Sequence, residues 1–227
     1  MSADEQKRAV GVAAAAMIED GMTVGLGTGS TAAFFVEALA ARKLKLTCVS
    51  TSEVTAAQAR SLGMTVIDLD EAGLIDLTVD GADEIGPGLD VIKGGGAALL
   101  REKLVWEASR RRIAIADASK RSAQLGRFPL PIEVIAFGHV STAARVATAL
   151  KGCGIDAAPV LRIEDGSPVL TDSGNYIYDA ACGAIPDVHG LGAALKMVTG
   201  VVEHGLFLGL AAEALIATDQ GVLTLYP

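Results

Sequence analysis

Cysteine and histidine are scarce in this chain, three of each among 227 residues, and tryptophan occurs once. Cys48, Cys153 and Cys182 are odd in number, widely spaced and without a CxxC pair, which fits reduced core residues better than a disulfide framework or a zinc site. Three histidines with no HExxH leave His-based metal chemistry little to build on, and a Ser-His-Asp triad has no GxSxG elbow to seat its nucleophile. Long apolar runs are missing too. The longest charge-free stretch, 21–36, has 16 residues and is broken by glycines, against about 20 apolar residues for a membrane span. No Lys/Arg run exceeds Arg110, Arg111 and Arg112, and 19 basic against 27 acidic residues give a net charge of −8. The long-range field therefore opposes nucleic acid and anionic membranes, so an anionic ligand must be held by local lysines or backbone amides. The N-terminus mixes acids with its bases and shows no small-residue cleavage site after its alanine run; a cytoplasmic protein is expected.

What is present is a dense globular composition, 51% hydrophobic and 20% charged, long enough for one large domain or two modest lobes. Ser2 and Glu5 form a capping-box spacing that predicts a helix over 3–19, closed at Asp20-Gly21. Strands are expected at 22–26, 47–50, 64–67, 77–80 and 113–116, with helices at 32–41, 52–62 and 97–109. Strands alternating with helices imply right-handed crossovers and a mostly parallel, Rossmann-like sheet flanked by helices. Pro129 and Pro131 interrupt that pattern, because proline lacks the N–H that regular pairing needs. Beyond them, strands at 132–137, 158–162, 169–170, 176–178 and 201–203 with helices at 141–150 and 191–198 fit a smaller α+β, ferredoxin-like lobe. Two β-like runs around Asp219-Gln220-Gly221 are expected to return and complete the first sheet. The expected division is thus an α/β domain of 1–130 and 205–227, and a smaller domain of 131–204 with a probable role in oligomer contact.

Three loops can carry chemistry. Gly25-Leu26-Gly27-Thr28-Gly29-Ser30-Thr31 follows a strand and opens a helix, where free amides meet the positive end of a helix dipole. It fails the Walker signature and fits the dinucleotide fingerprint poorly, which leaves a site for a terminal phosphate monoester, with a tight structural turn as the alternative. Asp80-Gly81-Ala82-Asp83-Glu84 places carboxylates at a strand's C-terminal end, to bind a cation, orient sugar hydroxyls or move protons, or simply as an acidic turn. Hydroxyl recognition and acid–base work fit best, since no histidine or calcium-type loop is near. In Lys93-Gly94-Gly95-Gly96 three consecutive glycines imply close approach to the backbone, and the helix that follows carries Glu102. At 100° per residue Glu102 shares a side with Ala98, Leu99, Val105 and Trp106, so it is either a partly desolvated general base or a surface partner of Arg101 or Lys103. Lys7 and Lys120, each unremarkable alone, would join Lys93 in supplying positive charge for a dianion if the loops meet at one mouth.

Jointly, Gly25-Leu26-Gly27-Thr28-Gly29-Ser30-Thr31-Ala32, Asp80-Gly81-Ala82-Asp83-Glu84-Ile85, Lys93 through Lys103, Ala116-Asp117-Ala118-Ser119-Lys120 and Phe128 through Val134 resemble the motifs of the type A ribose-5-phosphate isomerase family. Thr171 through Asn175 and Gly200 through Phe207 extend the resemblance across essentially the whole chain. It implies a cofactor-free, metal-free aldose–ketose isomerase of the non-oxidative pentose phosphate pathway, acting on a small sugar phosphate as a homodimer or homotetramer. The family's proton acceptor falls on Glu102, with Asp80, Asp83 and Lys93 beside it as catalytic groups. Substrate-binding positions fall on Lys7, Thr28, Gly29, Ser30, Thr31, Asp80, Gly81, Ala82, Asp83, Lys93, Gly94, Gly95, Gly96 and Lys120. Leu100 stands where threonine is common, Ser173 where asparagine is common, and Thr199 where proline is expected. A sugar-phosphate-binding regulatory sensor domain is the alternative, expected to carry an N-terminal helix-turn-helix and to need no catalytic glutamate.

Overall fold

A computed structural model describes Met1–Pro227. The chain divides into two compact units, one formed by Met1–Ala82, Arg101–Arg121 and Gly209–Pro227, the other by Asp83–Leu100 and Ser122–Leu208. The second unit takes in 83–100, 122–130 and 205–208, which the expected division places in the larger domain. These residues include two short strands that pair with each other, the second of which also pairs with the 206–207 segment, a long-range pairing with no periodic signature.

The first unit is built on a seven-stranded sheet: β1 (Thr23–Leu26), β2 (Thr47–Ser50), β3 (Thr65–Ile67), β4 (Ile75–Gly81), β7 (Ser109–Asp117), β15 (Glu213–Thr218) and β16 (Gly221–Leu225), in the order β16-β15-β7-β4-β1-β2-β3. All pairs are parallel except the closing β15–β16 hairpin, which turns at Asp219-Gln220 as expected. One layer of core joins Val10, Ala14 and Ile18, at or just beyond α1 (Ala3–Ala15), and Phe35, Val36 and Leu39 of α2 (Ser30–Ala41) to Val24, Leu26, Leu77, Val79, Ile113 and Ile115 of the sheet. A second, smaller cluster packs Val105 of α5 (Leu99–Glu107) with Val49, Ile75 and the flank of α4 (Leu69–Ala72). α3 (Glu53–Ser61) is capped by Ser52, whose hydroxyl accepts the Thr55 N–H at 3.2 Å.

Two expectations fail here for identifiable reasons. The Ser2–Glu5 capping box forms, but α1 stops at Ala15 and not at residue 19. The Arg42 guanidinium donates to the carbonyls of Ala15 and Ile18, satisfying acceptors that further helical turns would have used. β7 begins at Ser109 and contains all three consecutive arginines, which the sequence reading kept outside the strand. Their charge is accommodated by partners: Arg111 pairs with the buried Glu213 on β15, and Arg112 donates to the Ser109 carbonyl.

The second unit holds β5 (Glu84–Ile85), β6 (Val91–Ile92), β8 (Leu130–Val134), α6 (His139–Gly152), β9 (Val160–Leu161), β10 (Ile163–Glu164), β11 (Ser167–Pro168), β12 (Tyr176–Ala180), α7 (Val188–Lys196), β13 (Val201–His204) and β14 (Leu206–Phe207). β13-β8-β12-β9 make an antiparallel sheet whose order, counted along the chain, is the ferredoxin-like 4-1-3-2. Val146 and Leu150 of α6 and Leu191 and Leu195 of α7 bury against Leu130, Ile132, Val134 and Tyr178. The prolines do not end the pairing: Pro131 lies inside β8, opposite Asp179. Its carbonyl accepts the Gly205 N–H at 2.8 Å, and the Gly205 carbonyl is already taken by the Lys93 N–H at 2.9 Å, so the donor that proline lacks leaves no acceptor there unmet. β14-β6-β5 form a separate three-stranded sheet.

Candidate active site

In the first unit the chain order of the strands reverses between β1 and β4: β1 leads to β2 on one side and the later strands lie on the other. Such a switch point opens a crevice outside the carboxyl ends of the two strands, because the connections leave in opposite directions. The glycine loop follows β1 and Asp80 is the penultimate residue of β4, so both border this crevice. The 3-10 turn Ala118–Lys120 follows the parallel β7 at the same edge. Lys7 also belongs there. The Met1 ammonium bonds Asp219 at 3.0 Å in the turn after β15, which places the start of α1 at the carboxyl edge. Lys7 lies one turn further in, with only a long 3.7 Å pairing to Asp4.

Local geometry explains why the loop is built from glycine. The Gly27 N–H donates to the Val79 carbonyl at 2.9 Å, and a Cβ on Gly27 would stand 2.2 Å from Asp80 Oδ1 and 2.5 Å from Asp80 Cα. Only hydrogen fits. Gly29, at φ 108°, then turns the chain into α2, leaving the amides of Ser30 and Thr31 in the unpaired first turn of the helix. Asp80 is fully buried; its Oδ1 accepts the Thr28 N–H at 3.1 Å and its Oδ2 the Trp106 indole N–H at 3.2 Å. The Thr28 hydroxyl is enclosed by those of Thr51 at 2.7 Å, Ser52 at 2.7 Å and Thr55 at 3.3 Å. The loop is therefore preorganised from both sides: a buried carboxylate grips its backbone and a hydroxyl cluster from the β2–α3 junction holds its side chain.

Glu102 lies in the first turn of α5 and is 4% exposed. Leu99, Lys103, Val105 and Trp106 are buried with it, while Leu104 is 47% exposed, so the inner face is the one that carries the glutamate. Glu102 does not lie on a solvated face, and Arg101 bonds Glu53 of α3 at 2.9 Å. A carboxylate with so little water around it can act as a base whose strength is set by its immediate partners.

In the second unit, the Asp83 carboxylate accepts the Gly95 N–H at 2.8 Å, and the Asp83 N–H donates to the Ile92 carbonyl at 2.9 Å. Gly94, at φ 107°, and Ala97 close a turn through the Ala97 N–H to the Gly94 carbonyl at 3.0 Å. Lys93 is 2% exposed, with Nζ 5.7 Å from the centre of the Phe207 ring. The structure thus groups Lys7, Thr28, Gly29, Ser30, Thr31, Asp80, Gly81, Ala82 and Lys120 along one sheet edge, with Glu102 buried in the same unit. It groups Asp83, Lys93, Gly94, Gly95 and Gly96 in the other. Sequence reasoning missed Thr51, Ser52 and Thr55 and the hydrogen bond of Trp106, although Trp106 four residues after Glu102 on one helical face was a usable signal. No group of three or more His, Cys, Asp or Glu side chains is arranged to hold a metal ion.

The family model of ribose 5-phosphate isomerase A (phosphoriboisomerase A) matches residues 47–221. The chain belongs to the ribose-5-phosphate isomerase A family. A curated member of that family from Caulobacter sp. (strain K31) is 62% identical over 227 residues, covering all of both chains. One from Parvibaculum lavamentivorans is 50% identical, with 97% of each covered. Among solved structures, ribose 5-phosphate isomerase from Plasmodium falciparum superposes with a TM-score of 0.93 at 38% identity, covering 99% of each chain. A model of the DeoR C-terminal sensor domain matches residues 2–67 only, the span of the first three strands and their helices. That match does not extend to Glu102, whereas the isomerase model does, so the sensor alternative is not favoured.

Proposed function

We propose that this chain catalyses the reaction for which its family is named, interconverting D-ribose 5-phosphate and D-ribulose 5-phosphate through a 1,2-enediolate. The observation that supports this most is the 62% identity running the full length of this chain and of a curated ribose-5-phosphate isomerase A. In this reading Ser30, Thr31, the glycine-loop amides, Lys7 and Lys120 grip the phosphate, so that binding energy far from the reacting carbons holds them in place. Asp80, fixed by the Thr28 and Trp106 donors, assists opening of the furanose. Glu102 removes the C2 proton and returns it at C1, Lys93 stabilises the enediolate oxygen, and Asp83 orients the sugar hydroxyls while bonding Gly95. No redox cofactor enters, since the hydrogen leaves one carbon and arrives at its neighbour.

The test is direct. Purified protein supplied with ribose 5-phosphate alone should form ribulose 5-phosphate, and Glu102→Gln should lose about 10²–10⁴-fold in kcat, the span typical of general acid–base catalysis, with sugar-phosphate binding retained. Unchanged turnover in that variant would remove Glu102 from the role.

The smaller unit is proposed to mediate assembly into a homodimer or homotetramer. It exposes Phe137 at 90%, Val140 at 70% and Met197 at 84%, large apolar surfaces that association would cover. Sedimentation analysis should show a species of at least twice the chain mass of 23.2 kDa. A cytoplasmic location is proposed on the three free cysteines, which suit a reducing compartment, and on a substrate class made inside cells.

A further inference from the structure

Three glycines in succession have no side chains with which to fix their own peptide planes, and each is entropically costly to order. The residues that hold them are in the second unit. Arg162, between β9 and β10, donates from Nη1 to the carbonyls of Gly94 at 2.9 Å and Gly95 at 3.0 Å. Its other face is engaged by Asp179 of β12, with Nε to Oδ2 at 2.8 Å and Nη2 to Oδ1 at 2.5 Å. The arginine side chain is 17% exposed and the aspartate 27%, so the pair is mostly shielded from water. In a trans peptide the C=O and the following N–H point in opposite directions. The Gly94–Gly95 peptide is therefore gripped at both ends: its carbonyl by Arg162, and its N–H by Asp83 at 2.8 Å.

We propose that Arg162, oriented by Asp179, is a positioning residue for catalysis, setting the peptide planes of the glycine turn and through them the placement of Lys93 and Asp83. This rests on the reading above that residues 93–96 meet the sugar. Neither Arg162 nor Asp179 is assigned a contact with substrate. The geometry demands arginine and not merely a cation: a planar fork reaches two carbonyls on one side and a carboxylate on the other, whereas an ammonium is a single point of charge. The asymmetry of the arrangement also orders the effects. Asp179 acts only through Arg162, so its loss should add nothing once the arginine is gone.

The experiment measures kcat and KM for Arg162→Lys, Arg162→Ala, Asp179→Asn and the Arg162→Ala/Asp179→Asn double variant, with circular dichroism melting on each and Lys93→Ala as the arm for the underlying reading. Arg162→Lys should fold as the parent does and lose about 10- to 100-fold in kcat, the scale of a catalytic group displaced by about 1 Å, with KM changed less than about threefold because the phosphate grip is elsewhere. Arg162→Ala should fall at least as far and recover part of its turnover in millimolar methylguanidinium but not in ammonium at the same ionic strength. The double variant should match Arg162→Ala. A folded Arg162→Lys with turnover within twofold of the parent overturns the inference, and so does an Arg162→Ala that lowers the melting temperature without lowering kcat. If Lys93→Ala keeps full turnover, the reading of residues 93–96 fails, whatever the arginine variants do. Loss in Lys93→Ala with normal arginine variants sinks the positioning role alone.

Discussion

Gly27→Ala adds one methyl group at the place where the loop crosses β4, and the cost follows from three distances. The new Cβ would lie 2.2 Å from Asp80 Oδ1, 2.3 Å from its Cγ and 2.5 Å from its Cα. The last is backbone, so rotation of the aspartate side chain cannot relieve it. Ordinary contact begins near 3.4 Å, so β1 and β4 must part locally by about 1 Å. That movement strains the Gly27 N–H to Val79 bond at 2.9 Å and the Thr28 N–H to Asp80 bond at 3.1 Å. Overpacking costs about 1–3 kcal/mol. The neutral bond contributes about 1 kcal/mol and the one to a carboxylate about 1.5–3 kcal/mol. Alanine's smaller unfolded-state entropy returns about 0.4–1 kcal/mol. The net loss is about 2.5–6.5 kcal/mol, which at about 2–4 °C per kcal/mol for a chain of this size lowers Tm by about 5–25 °C. Thermal melting followed by circular dichroism reads that loss, and the isomerase assay at 25 °C should show turnover falling in parallel because the phosphate loop has moved. A variant that melts within about 2 °C of the parent and turns over normally would refute the claim that the loop is seated on Asp80.

Trp106→Phe keeps most of the buried ring but removes the N–H donor to Asp80 Oδ2; it should destabilise by about 1.5–3 kcal/mol in urea titration and lower kcat, since a buried carboxylate loses a partner. Glu133 has its carboxyl held above the ordinary value of 4.5 by burial, against the opposing donors Asn175 and Thr171. Between that value and its folded pKa the native chain keeps a proton that the unfolded chain releases, so this group's contribution to stability falls as pH rises. The Tm of Glu133→Gln relative to the parent should therefore climb from pH 4 to pH 7, and a flat difference would contradict the burial argument. Burial pushes the Cys48 thiol up to about 12 and that of Cys182 to about 11. Iodoacetamide at pH 8 should therefore label native protein first at the part-exposed Cys153 and leave Cys48 untouched until the chain is denatured, as peptide mass mapping would show.

What the sequence disclosed and what it hid divide along the range of the interactions involved. β2 is legible to the residue at both ends because Thr47-Cys48-Val49-Ser50 is a short apolar run between a lysine-rich turn and a serine cap, all local signals. Gly94 was legible for the same reason, since its own left-handed backbone and the nearby Leu99 require it, whereas Gly27 is required by Asp80, 53 residues away, and showed only as part of a glycine-rich string. β5 and β6, each two residues long, carry no period at all; they exist because Leu206 and Phe207 arrive from more than a hundred residues away to pair with Ile92 and Val91.

The same division runs through the functional side chains. The face that Glu102 shares with Leu99, Val105 and Trp106 made it a candidate, a relation contained within three helical turns, and the family resemblance is what singled it out. Arg162 was not found, because its partners are Asp179, 17 residues on, and the Gly94 carbonyl, 68 residues back. Neither spacing matches a helix or a strand. A backbone carbonyl, moreover, is present at every position and marks none. Residues that touch a ligand are drawn from a few reactive types in tell-tale loops, whereas those that hold the loop in place are recruited from wherever the fold brings a suitable fork within 3 Å. Arg162 is the expected kind of omission: its role is defined by the shape of a peptide plane, and no residue letter records that shape.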